Sequence, residues 1–411
     1  MEAMIERCAG LDVHQETVVA CVLFGPLDKK PKKSIETFRT TTKGLLELND
    51  WLTSMQVTDV VMESTGVYWK PVWNVLESNF QLVLANAKHV KNVPGRKTDF
   101  KDAEWLAQLL RCGLIEGSFV PPEDIRDLRD LTRYRKKLVH NRTAEQNRIH
   151  KILQDANIKL TSVLSNIFGQ SGRQILEAII NGEKIEEKDL QKMVHWRVKA
   201  SLSEIAETVN GRIRRHHRDM LRYHWEHMIY IEQVIEELEE QIDQCLTPYR
   251  KEVELLDTIP GVNKDAAAVF VAELGVDMSV FKNSSKRMAS WVGVSPGNNE
   301  SAGKKNSSKT TKGNKALKTM AVECVLGTSG QNNRINAHRK RITKRQGKKK
   351  GTIASAHLIL TIAFNILKTG EPYQELGANY MKKEQKNKEL KMIEYLKRKG
   401  YNISPSDQKT A

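Results

Sequence analysis

The sequence has few cysteines, and none of them are spaced as metal ligands or disulfide partners usually are. The five cysteines are scattered along 411 residues without a C-x-x-C pair, at Cys8, Cys21, Cys112, Cys245 and Cys324. This spacing argues against a structural zinc site and against a disulfide framework. It is the cysteine usage expected in a reducing cytosol.

Long hydrophobic runs are missing as well. The most apolar stretch, ASAHLILTIAFNIL, is shorter than a membrane-spanning helix and contains His357. The first residues, MEAMIERCAG, lack the basic-then-apolar order of a signal peptide. We therefore expect a cytoplasmic protein with no membrane partner.

Acidic residues are too few to balance the basic ones. Lys and Arg total 66 against 50 Asp and Glu, so the net charge is +16 and the pI is near 9.5. Such a surplus favours a polyanionic partner, because each cation that neutralises a phosphate releases condensed counterions. The length predicts two or three structural units.

The first third of the chain alternates strand and helix patterns. The segments RCAGLDVH, TVVACVLF, KSIETFRTT, DVVMEST and QLVLAN predict strands, and GLLELNDWLTSM and YWKPVWNVLES predict helices. A further helical face is formed by Trp105, Leu106, Leu109 and Leu110. This order predicts an α/β domain with a mixed sheet over residues 1–122, ending at Pro121-Pro122.

From Glu123 onward the pattern is helical. Residues 123–168 are very basic, and we predict that Arg129, Arg133, Lys136 and Lys137 bind a nucleic-acid backbone. The alternative is a solvated helix face, which is what a run of cations commonly forms.

A heptad seam follows and ends at Pro248. Its apolar positions are Leu221, His224, Met228, Ile231, Ile235, Leu238, Ile242 and Cys245. The spacing predicts a coiled coil that supports self-association. A core helix of a local bundle is the alternative, because Trp225 and Val234 widen the apolar stripe. Residues 123–250 are thus predicted to be basic helices and a coiled coil.

The last third is predicted to be mainly helical. LLDTIPGVNKDAAAVFVAELG predicts a helix-hairpin-helix whose turn, at Gly261, can direct N–H groups at a phosphate; an ordinary helical hairpin is the alternative. A loop rich in Ser, Gly, Asn and Lys then enters a helix near Asn314. The dense basic run AHRKRITKRQGKKKG and a lysine-rich tail, residues 376–411, complete the chain.

Four acidic residues of the first domain form a possible metal site. Asp12 and Glu63 end two predicted strands, and Asp99 and Asp102 share one face at the start of a helix. If they converge, a divalent ion must offset their repulsion, and an all-oxygen ligand set selects Mg²⁺ or Mn²⁺. Each acid also has an ordinary structural explanation, such as a turn, an ion pair or the favourable field of a helix N-terminus.

Several of these segments together resemble a known family. GLDVHQETVVACVL, VMESTGVYWKPVWNVLE and NVPGRKTDFKDAEWLAQLLRCGLI are similar to blocks of the DEDD transposases of bacterial insertion sequences of the insertion-sequence-110 type. TIPGVNKDAAAVFVAELG, FKNSSKRMASWVGVSPGNNESAGKK and TTKGNKALK resemble the C-terminal domain of that family, in the same order.

The resemblance implies a ribonuclease-H-like, Holliday-junction-resolvase-like N-terminal domain in which Asp12, Glu63, Asp99 and Asp102 bind Mg²⁺. It also implies a C-terminal domain, residues 251–375, with a nucleophilic serine. The family's Ser-(Gly/Ala)-Gly-Lys stretch reads ESAGKK here, which makes Ser301 the match, with Ser295, Ser307 and Ser308 nearby. Members act on donor and target DNA as homo-oligomers guided by a bridge RNA, and a bacterial, nucleoid-associated location follows.

Within this reading, Lys304, Lys305 and Lys309 are expected either to stabilise charge developing on the phosphate or simply to contact the DNA. Two alternatives remain at this point. One is a metal-dependent endonuclease that hydrolyses DNA junctions, in which Ser301 only contacts DNA. The other is a non-enzymatic nucleic-acid-binding protein built on basic helices.

Overall fold

The chain forms two compact units. A computed structural model describes residues 3–64, 66–86, 90, 100–296, 299–301, 304–307 and 310–401. The units are Met1–Val120 and Pro121–Ala411, so the first ends two residues before the predicted boundary. Residues 121–411 form a single unit.

The first unit is a mixed α/β structure, as predicted. Its strands are β1 (Arg7–Val13), β2 (Thr17–Phe24), β3 (Lys32–Arg39), β4 (Asp59–Glu63), β5 (Gln81–Ala85) and β6 (Gly117–Ser118). Its helices are α1 (Thr42–Ser54), α2 (Trp69–Leu76) and α3 (Phe100–Arg111). The sheet order is β3-β2-β1-β4-β5-β6, in which β1, β4 and β5 are parallel and the other neighbours are antiparallel.

Both faces of this sheet are covered, because side chains alternate along each strand. On β1, Ala9 and Leu11 pack into one core with α1 and α2, whereas Cys8 packs into a second core beneath α3. Burial raises the pKa of the Cys8 thiol to about 12, which keeps it protonated and unreactive.

Helix α3 lies against β1 at Gly10. A Cβ atom at this position would lie 2.2 Å from the Ala103 carbonyl oxygen and 2.5 Å from the Ala107 nitrogen. Only glycine therefore permits this approach of helix and strand backbones.

The second unit is mostly helical. Its helices are α4 (Glu123–Asp155), α5 (Leu160–Val163), α6 (Gln170–Asn181), α7 (Glu187–Met193), α8 (Leu202–Val209), α9 (Arg215–Cys245), α10 (Arg250–Asp257), α11 (Lys264–Leu274), α12 (Ser285–Val292), α13 (Lys315–Gly327), α14 (Arg334–Gln346), α15 (Lys348–Thr369) and α16 (Tyr380–Arg398). A short hairpin, β7 (Asn299–Ser301) and β8 (Lys304–Ser307), lies in the segment predicted as a loop.

The two long helices α4 and α9 form an antiparallel pair. Asp124 accepts a hydrogen bond from Tyr249, and Glu145 contacts His224 of α9. Six of the eight predicted seam positions are buried, and Trp225 is buried with them. Leu138 of α4 packs in one cluster with the seam residues Ile231, Ile235 and Leu238. The seam is thus covered within the chain, as the bundle alternative predicted.

The long apolar helix α15 belongs to the core of this unit. By length and composition alone it could cross a membrane, with a mean hydropathy of 1.4 over its most apolar window. Half of that window is buried inside the fold, and residues such as Ile359 and Phe364 are fully or almost fully enclosed. A core helix of this kind passes the same test as a membrane span.

Candidate active site

Asp12 and Glu63 lie at the same edge of the first unit's sheet. Strands β1 and β4 are parallel neighbours, and Leu11 is paired with Met62, so each acid follows directly after a paired residue. The side chains of Asp12 and Glu63 are both half-buried. Because Leu11 and Met62 point into the α1–α2 core, the alternation of the strands directs both acids to the face covered by α3.

Helix α3 brings Asp102 to this edge. The Cys8 thiol contacts the Ala107 carbonyl oxygen at 3.4 Å, and Gly10 lies against both Ala107 and Ala103. The helix therefore runs antiparallel to β1, and its first turn, which contains Asp102, lies toward the Asp12 end of the strand. Three of the four predicted ligands thus share one face and one edge of the sheet.

The chemistry of these acids suits a hard divalent cation. Their donor atoms are carboxylate oxygens, the ligands that Mg²⁺ prefers. His14 Nε2 lies 3.2 Å from Asp12 Oδ2, and the His14 side chain is 60% exposed against 21% for Asp12. The described part of the chain contains no group of three His, Cys, Asp or Glu side chains already arranged to hold a metal ion. Asp99 lies outside the described residues.

Ser301 lies in the β7–β8 hairpin of the second unit. Its backbone pairs with that of Lys304, and Glu300 pairs with Lys305. The side chains of Ser301, Lys304, Lys305 and Ser307 are outside the described part of the structure, as are Ser308 and Lys309 altogether. The backbone therefore places Ser301 at the end of β7, opposite Lys304 at the start of β8.

The base of this hairpin is closely packed. A Cβ at Gly313 would lie 2.4 Å from the Trp291 carbonyl oxygen, so the chain before and after the hairpin runs in backbone contact. The Lys318 ammonium donates to the Gly293 carbonyl oxygen at 2.9 Å and to the Thr310 hydroxyl at 2.5 Å. Lys318 of α13 thereby joins the two ends of the segment that carries Ser301.

A buried carboxylate anchors the same base to the helical core. Glu273 is fully buried and receives hydrogen bonds from Arg133 at 2.7 and 2.8 Å and from Asn314 at 2.6 Å. Arg129 Nε lies 3.3 Å from the same carboxylate. Asn314 also caps α13 by accepting from the Leu317 N–H. The network connects α4, α11 and the start of α13.

Comparison with known protein families identifies the chain. A model of DEDD transposases of IS110 elements, described as a transposase, matches residues 9–158. A second model, described as "Transposase IS116/IS110/IS902 family", matches residues 253–341. No match was found among curated proteins.

The chain is a DEDD transposase of the IS110 family. It is therefore an enzyme that acts on DNA, and the non-enzymatic alternative is wrong. The two matched regions contain the four predicted acids and Ser301, respectively.

The transposase uses most of the predicted nucleic-acid-binding cations of α4 in its own packing. Arg129 also donates to the carbonyl oxygens of Ala272 and Glu273, and its side chain is only 14% exposed. Burial lowers the pKa of the Arg129 guanidinium, against the opposing effect of Glu273. Lys136 pairs with Glu323 at 3.0 Å. Lys137 is exposed, and the described residues form no ion pair with it.

Helix α10, a tight turn and α11 occupy the segment predicted as a helix-hairpin-helix, an arrangement that an ordinary helical hairpin shares. Gly261 adopts a φ of +85°, and a Cβ there would lie 2.3 Å from the Cys324 carbonyl oxygen of α13. The glycine is therefore needed for packing on α13, whatever ligand its turn contacts. Two cations that line the groove beside this turn are paired, Arg135 with Glu239 at 2.8 Å and Lys136 with Glu323 at 3.0 Å.

The sequence did not predict the part that three residues play in the hairpin base, although it placed a helix start near one of them. These are Glu273, Asn314 and Lys318. Glu273 had a usable signal, because it is the one carboxylate among small and apolar residues late in AAAVFVAELG. The lysine had none, since its carbonyl partner is 25 positions away in sequence.

Proposed function

We propose that this transposase cuts and rejoins donor and target DNA of a mobile insertion sequence through the serine nucleophile Ser301. The metal site is assigned to Asp12, Glu63, Asp99 and Asp102. The observation that supports it most is the common edge of the sheet reached by Asp12, Glu63 and the first turn of α3. The strand order β3-β2-β1-β4-β5 also supports a ribonuclease-H-like fold for the first unit.

Mg²⁺ bound by these acids, or Mn²⁺ in its place, would offset the charge of the scissile phosphate and make phosphorus more electrophilic. The carboxylates of Asp12, Glu63 and Asp102 would hold the divalent cation at an edge of the sheet, where they are carried by rigid strands and a helix. They also give the site its preference for oxygen-coordinated cations over zinc.

In the proposed chemistry Ser301 Oγ attacks phosphorus and displaces a deoxyribose oxygen. The serine loses its proton, the leaving oxygen gains one, and a phosphoserine ester with DNA is formed. After strand exchange, a deoxyribose hydroxyl attacks the ester and releases the serine, so no phosphodiester is lost to water. Lys304, Lys305 and Lys309 neighbour Ser301 in sequence and would oppose the negative charge on the phosphoryl oxygens.

We further propose that a bridge RNA directs the choice of DNA and that the acids of one protomer act with Ser301 of another. Both proposals rest on the family resemblance, and the net charge of +16 also favours binding of an RNA. The enzyme would act in the bacterial cytoplasm at nucleoid DNA.

The test is to trap the protein–DNA ester. End-labelled DNA carrying the element's ends is incubated with transposase, its RNA and Mg²⁺, then denatured and separated on a gel. We expect labelled protein from the wild type, none from Ser301→Ala or Asp102→Asn, and retention in the matched variant Ser295→Ala.

A cut without labelled protein, unaffected by Ser301→Ala, would instead favour the junction-resolving endonuclease. Labelled protein that disappears in Ser295→Ala but persists in Ser301→Ala would move the nucleophile to the other serine.

A further inference from the structure

The tip of the α14–α15 helical hairpin concentrates positive charge. We define the basic corner as the seven exposed cations Lys340, Arg341, Lys344, Arg345, Lys348, Lys349 and Lys350. They belong to the last turns of α14 and the first turn of α15, on either side of Gly347. Within the described part of the chain, no carboxylate forms an ion pair with any of them.

The sequence around the basic corner explains why its cations have no carboxylate partner among the described residues. No Asp or Glu occurs between Glu323 and Glu371, so neither helix supplies a neutralising partner. On α4, by contrast, Arg133, Arg135 and Lys136 each bond a carboxylate. The unneutralised cations of this unit are therefore concentrated at the corner rather than on the predicted helix.

The arrangement is unfavourable for the chain alone. Lys340 and Lys344, like Arg341 and Arg345, are four residues apart on one helix, where like charges repel. Lys348 and its two neighbours occupy the first turn of α15, which contains no acid and whose dipole repels cations. A polyanion bound at the corner would relieve both effects.

The corner is also held rigidly. A Cβ at Gly351 would lie 2.3 Å from Thr343 Oγ1 and 3.0 Å from the Arg339 carbonyl oxygen, so α15 begins in direct contact with α14. Below this contact, His338 Nδ1 is 2.9 Å from the hydroxyl of the fully buried Ser355. The cations therefore project from a preformed support, which limits the entropy lost on binding.

We propose that the basic corner binds the phosphodiester backbone of duplex DNA independently of sequence. Lysine and arginine ammonium and guanidinium groups bind phosphates without reading bases. The exposed set contains no aromatic side chain on which an unpaired base could stack, which favours a duplex over a single strand. An anionic membrane is the weaker fit, because the apolar residues that follow, such as Ile359, are buried.

This inference goes beyond the proposed function. It takes from the family only that DNA is the polymer, and it requires neither Ser301 nor the acids. Binding and catalysis can therefore fail separately.

The test compares two triple variants of the full chain that each remove three positive charges. The corner variant is Lys344→Gln, Arg345→Gln, Lys348→Gln. The control is Lys397→Gln, Arg398→Gln, Lys399→Gln, which changes three exposed cations at the end of α16. Affinity for a labelled duplex of arbitrary sequence is measured by fluorescence anisotropy from 50 to 300 mM NaCl, without Mg²⁺.

We expect the corner variant to bind about 30-fold more weakly at 100 mM salt. The slope of log K against log salt should be smaller by about 2 to 3, since each phosphate contact contributes about 0.9. The control should remain within about 2-fold of the wild type. A charge-preserving variant of the same three positions, Lys344→Arg, Arg345→Lys, Lys348→Arg, should retain affinity, which separates loss of charge from a folding defect.

Three results would overturn the proposal. One is equal loss in the corner and control variants. Another is a loss confined to RNA of the same length. The third is unchanged DNA binding together with reduced binding to phosphatidylglycerol vesicles. If Ser301→Ala still forms the covalent ester while the corner variant loses DNA, the proposed nucleophile is wrong and the corner assignment stands.

Discussion

At the scale of single residues, Gly10 shows how a backbone contact can set the geometry of a site. Its missing side chain lets α3 approach β1 closely enough to bring the first turn of α3 toward Asp12. The atoms that a Cβ would meet are a carbonyl oxygen and an amide nitrogen, neither of which can rotate away.

We therefore expect Gly10→Ala to lower the free energy of unfolding of the first unit by about 3 kcal/mol, through overpacking. Mg²⁺-dependent DNA cutting should fall with it, because α3 is displaced. Urea unfolding measures the first effect and a cleavage assay the second. An unfolding free energy of Gly10→Ala equal to that of the wild type would mean that α3 can move away from β1 without loss of stability.

His338 is a second residue whose environment has a measurable consequence. Burial, with smaller contributions from Arg341, Arg334 and His357, lowers the pKa of its imidazole from 6.5 to about 4. Below pH 6.5 the unfolded chain binds a proton that the folded chain does not bind until about pH 4. Stability is therefore lost as the pH falls through this window and levels off below it.

Between pH 7.5 and 4.5 this residue should remove roughly 2 to 3 kcal/mol of the second unit's unfolding free energy. The measurement is urea unfolding of wild type and His338→Gln at several pH values. The His338→Gln variant should not lose this part of the unfolding free energy as the pH falls. Parallel pH curves for the two proteins would show that the imidazole titrates normally in the fold.

At the scale of elements, α4 holds the second unit together through its polar face as well as its apolar one. Its arginines meet the buried Glu273 of α11, and Asn314 connects the same carboxylate to the cap of α13. The base of the Ser301 hairpin is thus tied to the longest helix of the chain.

Glu273→Gln should destabilise the second unit by about 3 to 4 kcal/mol, because it leaves Arg129 and Arg133 without their buried counter-charge. The matched control is Glu239→Gln on α9, which breaks the more exposed pair with Arg135 and should cost less than about 1 kcal/mol. Thermal and urea unfolding of both variants measure the difference. Equal effects would mean that the Glu273 pairs are no stronger than surface ones.

At the scale of the whole molecule, the first unit has cores of its own on both faces of its sheet. In the first unit, apolar residues from both faces of the sheet are enclosed by its own helices, for instance Leu48 of α1 and Leu109 of α3. A domain of this size can bury enough apolar surface to fold alone.

We therefore expect the fragment 1–120 to fold without the rest of the chain. It should unfold cooperatively on heating and give a near-ultraviolet circular dichroism signal, which Gly10→Ala should weaken. A fragment that binds a hydrophobic dye and melts without a transition would show that the first unit depends on the second.

Features that depend on local pattern were predictable from the amino-acid sequence alone. The strands and helices alternate up to Pro121, two helices flank the turn at Gly261, and one long helix contains the seam. These features were predictable because periodicity and turn residues act over a few positions. The positions of Asp12 and Glu63 near strand ends were also predictable, whereas the edge they share follows from the parallel pairing of β1 and β4.

Which charges face solvent and which surfaces are covered depends instead on contacts between residues far apart in the chain. Arg133 and Glu273 are 140 positions apart, and no local signal distinguishes a cation that will meet such a partner from one that will face solvent. The same holds for the seam of α9, which α4 covers, and for the basic corner, whose cations have no described carboxylate partner. Long-range packing assigns these roles, because burial and ion pairing depend on which elements meet in space.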